Sequence, residues 1–550
     1  MTGRIIVQRL GQSFRAALAR SLPQSFSRIG GVPFVAYQRR QNPVLHSTGR
    51  DYCLTPGQPE MTPSLDLNHL QQSLTPLVST AYNVPAAADS APASPASSAP
   101  IPSRANPAAV APIRAASTRH ADIIVIGGGP AGSTAAGLLA EQGYQVVLFE
   151  KTRFPRFHIG ESLLPANVPL LKSLGVDQEV AAIAMPKYGV EFVSPWHDHH
   201  TQLEFAESWD KSLAMAYQVR RADFDDILLR RAVRVGADVR QEHRVSGLEF
   251  LPDNQGATLQ VQGPDGEREQ WTSRFVIDAS GRDTLVANKL KCKQKNDKHN
   301  SSALYAHLQG VERLPGKAEG NISIFWFAHG WFWMIPLTDG VTSIGAVCWP
   351  YYLKSRKTDL TQFFHDTVAL CPGLAERLRS AELVGDVHAT GNYSYSCDRS
   401  YGANYLLLGD AYAFVDPVFS SGVYLAMNSA VVGAQTVNAC LREPKRAASA
   451  LARFDKVMRK GPREFSWFIY RVTNPTMRDL FMYPRNLLRV KEALLSMLAG
   501  DIFGKTPIWP SLYVFKGMYW TTSVLNLKRT VMAMRQRKRN IKDVDTVASN

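Results

Sequence analysis

Residues 121–151, ADIIVIGGGPAGSTAAGLLAEQGYQVVLFEK, constrain the fold more than any other part of the chain. The apolar run at 123–126 predicts a buried parallel strand. Gly127, Gly129 and Gly132 follow as G-x-G-x-x-G, with Ala131 in the same turn. A helix is predicted through 135–141, ended by Gly143, and a second strand through 146–149, closed by Glu150. In such a unit one glycine makes the tight turn, one lets the backbone approach a pyrophosphate, and one packs helix on strand. The helix N-terminus turns free N–H groups and positive dipole toward that phosphate. Glu150 is placed to bind a ribose hydroxyl. Strand, helix, second strand and acid stand in register, which points to dinucleotide binding rather than to a Gly-rich turn of another α/β fold.

The rest of the 550 residues divides by composition. At 45% apolar, the chain can build a large core in two or three units. No uncharged apolar run reaches the roughly 18 residues of a membrane span, so no transmembrane segment is expected. The six cysteines are scattered without a C-x-x-C, which fits a reducing compartment and suggests no metal site. Of the net charge of +15, residues 1–120 carry +7 and residues 525–550 carry +5. The body between is nearly balanced, so no nucleic-acid-binding surface is expected. Residues 1–50 hold eight Arg and no acid, the composition of a mitochondrial or plastid transit segment. A non-targeting tail, or a start at Met61, is the alternative and would leave the protein cytoplasmic. Residues 51–118, Ala/Pro/Ser-rich from 84 onward, read as a disordered linker.

Two further segments resemble the FAD-dependent aromatic hydroxylase superfamily. YQVRRADFDDILLRRA (217–232) is similar to its segment carrying an arginine near the cofactor, matched by Arg221. YLLLGDAYAFVDPVFSSGVYLAMNSA (405–430) is similar to its second FAD motif. There Asp410 would hold ribitol or pyrophosphate-side hydroxyls, and the loop at 417–422, beginning at Pro417, would lead a helix N-terminus to the flavin. The resemblance implies FAD and an α/β fold. A Rossmann-like FAD-binding domain is expected over 119–430, with an interleaved antiparallel substrate-binding sheet at about 190–350. The alternating segments at 248–263 and 321–349 are assigned to that sheet. Residues 431–550 are expected to be helical, ending in a basic tail whose MRQRKRN could meet membrane lipid or an acidic carrier protein.

Within that superfamily, GWFWMIPLTDG (330–340) resembles the W-x-W-x-I-P signature of flavin-dependent halogenases, through Trp331, Trp333, Ile335 and Pro336. RFPRFHIGESLLPANV (153–168) resembles a segment of halogenases acting on phenols and pyrroles. A bulky wall has a chemical purpose there. It excludes water and keeps the organic acceptor from the flavin, leaving a passage for hypohalous acid. The family lysine that guides this oxidant is matched by Lys187 in AIAMPKYGVEFV (182–193). Its ammonium would hydrogen-bond hypohalous acid, or its amine would become a haloamine. Lys172, on a helix before a glycine, is the competing lysine and reads as solvent-facing. Ser421 and Gly422 match the loop whose backbone N–H groups hold halide, though Ser420 and Ser421 also suit simple N-caps.

Phe419 stands where tryptophan halogenases carry a glutamate facing the indole. Its loss points to an electron-rich phenol or pyrrole, free or carrier-tethered. No NAD(P)H-binding element is visible beside the first motif, so a separate flavin reductase would supply reduced FAD. Oxygen and chloride or bromide would be cosubstrates. The rival expectations are an FAD-dependent aromatic hydroxylase or monooxygenase, a prenyl-lipid reductase of the same fold, and a flavin-binding protein without turnover.

Overall fold

The computed structural model describes residues 118–391 and 394–542. The expected leader and almost all of the linker fall on residues 1–117, outside the described residues.

The first sheet is built on five parallel strands in the order Tyr405–Leu407, Arg268–Asp278, Arg119–Ile126, Val146–Phe149, Asp238–Arg240. The first strand begins four residues before the apolar run, because Arg119 and His120 still pair in register with Trp271 and Thr272. The following helix, Pro130–Glu141, begins five residues earlier than its apolar period suggests. Its first turn buries Ala131, Gly132, Ser133 and Thr134, which are too small to mark a hydrophobic stripe.

One assignment is corrected. Strands Arg244–Phe250 and Ala257–Gln262, which contain most of 248–263, form a hairpin that extends the first sheet through Arg268–Asp278. Their buried Leu248, Leu259 and Val261 share a core with Phe149 and Trp271. Alternation shows that one face is covered, and it carries no information about which sheet the strand joins.

The second sheet has seven strands, ordered Glu382–Gly391, Ser302–Gln309, Val341–Cys348, Gly330–Pro336, Ile322–Phe327, Gly189–Val193, Thr201–Glu204. It reaches 391 rather than 350. Its ladders are antiparallel except between Ile322–Phe327 and Gly189–Val193. Chain excursions between the sheets interleave the two. Strand Gly330–Pro336 is buried on both faces. By the period of two, Trp331, Trp333 and Ile335 join one core and Phe332 and Met334 the other. Across the ladder Trp333 faces Gly345, where an added Cβ would lie 2.1 Å from the indole. That glycine makes the space the indole fills.

Helices Gly422–Arg442, Pro444–Ile469, Pro475–Met482, Val490–Ala499, Trp509–Leu525 and Leu527–Lys542 follow. The expected boundary at 430 falls inside the first of them, which runs from the nucleotide-binding side into the helical region. Phe465 and Phe468 of the second helix lie in the same core as Trp331 and Trp333.

Gly345→Ala should push the Trp333 ring from its seat at a cost of about 1–3 kcal/mol. Denaturant unfolding followed by tryptophan fluorescence should show a lower midpoint, and an unchanged midpoint would contradict the close fit.

Candidate active site

A cavity of about 600 Å³ joins the two sheets. Gly127, Gly129, Ala131 and Glu150 line one part, and Trp331, Trp333 and Ile335 line another. Arg221, Asp410, Pro417, Ser421 and Gly422 also line it. Most of the sequence-predicted site thus meets in one space. Gly132, Pro336, Phe419 and Lys187 do not line it.

The glycines divide their tasks as the motif predicts. Gly127 has φ +102°, and a Cβ there would meet the Ala279 carbonyl at 2.4 Å. A Cβ on Gly132 would lie 1.8 Å from the Gly127 carbonyl, so Gly132 sets the close packing of helix on turn. Gly129 is the open position, with only an Arg156 nitrogen at 3.8 Å. It caps helix Pro130–Glu141 without any side-chain cap, which leaves the first amides turned to the cavity. Glu150 accepts from Gly128 N at 2.7 Å and from the Thr152 amide and hydroxyl at 3.0 and 2.7 Å. Its carboxylate braces the turn as well as lining the cavity.

Arg221 forms a bidentate pair with buried Asp225, at 2.8 and 2.9 Å, and donates to the Ile159 and Gly160 carbonyls. It therefore ties the 156–162 loop to its helix. Burial raises the Asp410 carboxyl to about 6, against the opposing pull of Arg221 and Arg282. The turn Pro417–Phe419 is capped by Asp416, whose Oδ1 accepts from Val418 N, and Ser420 follows at φ +54°. Helix Gly422–Arg442 begins next, and the Ser421 side chain does not cap it. Ser421 holds the N-cap position without a side-chain cap bond, and the helix N-terminus opens on the cavity. Phe419 packs against Phe468 and Phe481 in the core.

Lys187 ends the short strand Met185–Lys187, paired with Ala216–Gln218. Its side chain is 2% exposed. Nζ donates to Ser162 Oγ at 2.9 Å and to the Leu163 carbonyl at 3.0 Å, and lies 5.4 Å from the Phe205 ring. Among the described residues its polar and ring contacts are all with neutral groups. Burial alone lowers its pKa to about 7. Ser162 lines the cavity, so Lys187 stands one side chain behind the cavity wall. Lys172 is exposed on helix Asn167–Ser173, as expected.

The sequence reading passed over two residues. Glu161 lines the cavity between Gly160 and Ser162, with Oε1 2.7 Å from His307 Nε2 and Oε2 buried without a partner. Glu161 was within reach of sequence reasoning, inside the G-E-S segment. His307 was not, because it lies 146 residues away on strand Ser302–Gln309 and nothing local marks it.

Residues 120–454 match the family model of the FAD binding domain. The chain is 36% identical to flavin-dependent halogenase armH4 of Armillaria mellea over 59% of its own length and 66% of that relative's, just under two thirds. It is 30% identical to the 1H-pyrrole-2-carbonyl-(peptidyl-carrier protein) chlorinase of Pseudomonas fluorescens, over 70% of this chain and 89% of that one. The crystal structure of the myxobacterial chondrochloren halogenase superposes with a TM-score of 0.62 at 33% identity, covering 72% and 93% of the two chains. The chain therefore belongs to the flavin-dependent halogenases within the FAD binding domain family. Its cofactor is FAD, and the cavity fits it: a dinucleotide turn and an aromatic wall line one space of a size usual for bound ligands.

Burying a cation without a counter-charge costs stability, and that cost falls once the folded state can shed the proton. The unfolded lysine holds its proton to about pH 10.4, the folded one only to about 7. Between these values the unfolded state binds more protons, so stability gains from this group as pH rises. Lys187→Met should therefore raise Tm most below pH 7, and its advantage should shrink by up to about 1.4 kcal/mol per pH unit above that. A pH-independent difference in thermal unfolding would contradict the charge burial.

Proposed function

We propose that this halogenase halogenates an electron-rich aromatic, a phenol or pyrrole either free or carrier-tethered, using hypohalous acid guided by Lys187. The observation that carries the reading is the Lys187 ammonium, buried, with no carboxylate partner among the described residues, and bonded to a residue of the cofactor cavity wall. Bound FAD, reduced by a separate flavin reductase, supplies with oxygen the oxidising equivalent that converts chloride or bromide to hypohalous acid.

The chain's own residues do the rest. The turn at Gly127–Gly132 and the N-terminus of Pro130–Glu141 hold the pyrophosphate, Glu150 and Asp410 the sugar hydroxyls, and Arg221 keeps the 156–162 loop against the cofactor. The backbone amides at Ser421 and Gly422 hold halide, since they donate hydrogen bonds without a proton to lose. Trp331, Trp333 and Ile335 exclude water and the organic acceptor. An ammonium has three donors. Ser162 and Leu163 take two, which leaves the third for the oxygen of hypohalous acid. That bond draws electron density from the halogen as the ring attacks it. The carbon–halogen bond forms as the oxygen–halogen bond breaks, and the departing hydroxide takes up the proton the ring loses, leaving as water. The chlorinase relative is named for a carrier-bound pyrrole, which supports a pyrrole-type acceptor for this chain.

With FAD, a flavin reductase, NADH and bromide or chloride, a panel of phenols, pyrroles and indoles should give halogen-isotope patterns from phenols or pyrroles. Hydroxylated products formed without halide would contradict the reading. Lys187→Ala should lower product formation by roughly 100-fold or more, within the range for a transition-state donor, while FAD binding and oxygen consumption persist. Product at the parent rate from that variant would remove Lys187 from the mechanism.

A further inference from the structure

The last two helices carry a surface that the halogenation chemistry does not use. Helix Trp509–Leu525 packs Phe515 and Tyr519 inward on Phe468 and Trp467. Its other face exposes Tyr513, Trp520 and Val524, spaced by seven and four residues and so on one stripe. At the corner with helix Leu527–Lys542, Leu525 is 80% and Leu527 60% exposed. Lys528, Arg535 and Arg539 repeat along the exposed side of that second helix with the same seven-and-four spacing.

Beside this corner lies a cleft of about 200 Å³ lined by Lys298, Arg471, Arg537, Trp520 and Met534, among others. The Arg471 guanidinium lies over Trp467 at 4.5 Å and Trp520 at 5.3 Å. Arg537 lies over Tyr470 at 5.6 Å and Trp349 at 5.9 Å. Arg471 donates to the Trp467 carbonyl, and Arg537 to the Lys298 carbonyl, with His299 Nδ1 at 3.4 Å. Among the described residues neither arginine forms an ion pair with a carboxylate. Burial lowers the pKa of both, that of Arg537 to about 10; the charge of Arg471 lowers Arg537 further, and Asp416, linked to it through His299, offsets this only in part. Two like charges in one aromatic-walled cleft are stabilised by an anion, and a planar guanidinium matches phosphate oxygens in pairs.

The neighbours of the cleft say where that phosphate comes from. An apolar corner with a tryptophan beside it and a basic stripe behind it is the pattern of a helix lying in an anionic bilayer interface. The occupants that this chain itself could supply carry the wrong charge, and an acidic carrier protein would leave the exposed apolar corner unused. A second copy would bring another +5 segment, and residues 1–120 bring +7. Among the described residues no helix is long and apolar enough to cross a membrane.

We propose that the Arg471–Arg537 cleft binds the phosphate of an anionic phospholipid headgroup while Trp520, Leu525 and Leu527 enter the bilayer interface. This does not depend on the identity of the halogenated substrate. The test is co-sedimentation of the full chain with phosphatidylcholine vesicles, with and without phosphatidylglycerol. Binding should require the anionic lipid and weaken with salt. Arg471→Gln should weaken it about fivefold, the effect of one surface cation. Leu525→Glu with Leu527→Glu should weaken it by roughly tenfold or more. Both leucines are exposed, so that variant should fold, and flavin absorbance checks that it does. Soluble glycerol 3-phosphate should compete for the parent protein. Three results would overturn the proposal: equal binding to neutral vesicles, variants that bind like the parent, or binding of glycerol phosphate or an acidic carrier protein without binding of vesicles.

Discussion

A charged amine held away from water by neutral oxygens and an aromatic ring is the constraint around which the site is arranged. Among the described residues Lys187 reaches Ser162, Leu163 and Phe205 and no acid. Such a group is expensive for a fold to keep. A lysine retained only for stability would have an acid beside it or would reach the surface, and this one does neither. Its position makes sense if the hydrogen bond it has left to give is the functional one. The surrounding structure serves that end. The strand Met185–Lys187 aims the side chain, and the 156–162 loop, held by Arg221 and Asp225, brings Ser162 to meet it.

The same logic explains the aromatic run that is the most conspicuous stretch of the second sheet. Trp331 and Trp333 belong both to a buried strand and to a cavity wall. These are one fact, because a strand with a packed layer behind it can hold two indoles rigidly at a cavity face. Gly345 across the ladder completes the fit. In the proposed chemistry that rigidity matters, since a wall that yielded would admit water or the organic acceptor to the cofactor.

Much of this was legible in the sequence, for identifiable reasons. The glycines of 127–132 declare themselves because the backbone conformation and close approaches they permit are denied to other residues. The W-x-W-x-I-P run and the 405–430 segment carried the family resemblance, and both arrive at the cavity. What was not legible depends on contacts between distant segments. The hairpin within 244–262 was given to the wrong sheet because alternation is blind to partner. His307 had no local signal, and its role beside Glu161 exists only once strand and loop meet. Phe419, expected at the substrate pocket from the position of the tryptophan halogenases' glutamate, sits in the core beside Phe468 and Phe481. Of the two cleft arginines, Arg537 lay in the basic tail and Arg471 had no local signal, and only the fold shows them desolvated together.

The proposed chemistry requires separation: cofactor ring on one side of the Trp331–Trp333 wall, organic acceptor on the other, Lys187 between. The most direct measurement is a crystal structure of the chain with FAD and a halogenated aromatic product. The account expects the product ring near Lys187 Nζ, with the tryptophan wall and Ser162 between it and the isoalloxazine. A product ring stacked on the isoalloxazine would contradict it.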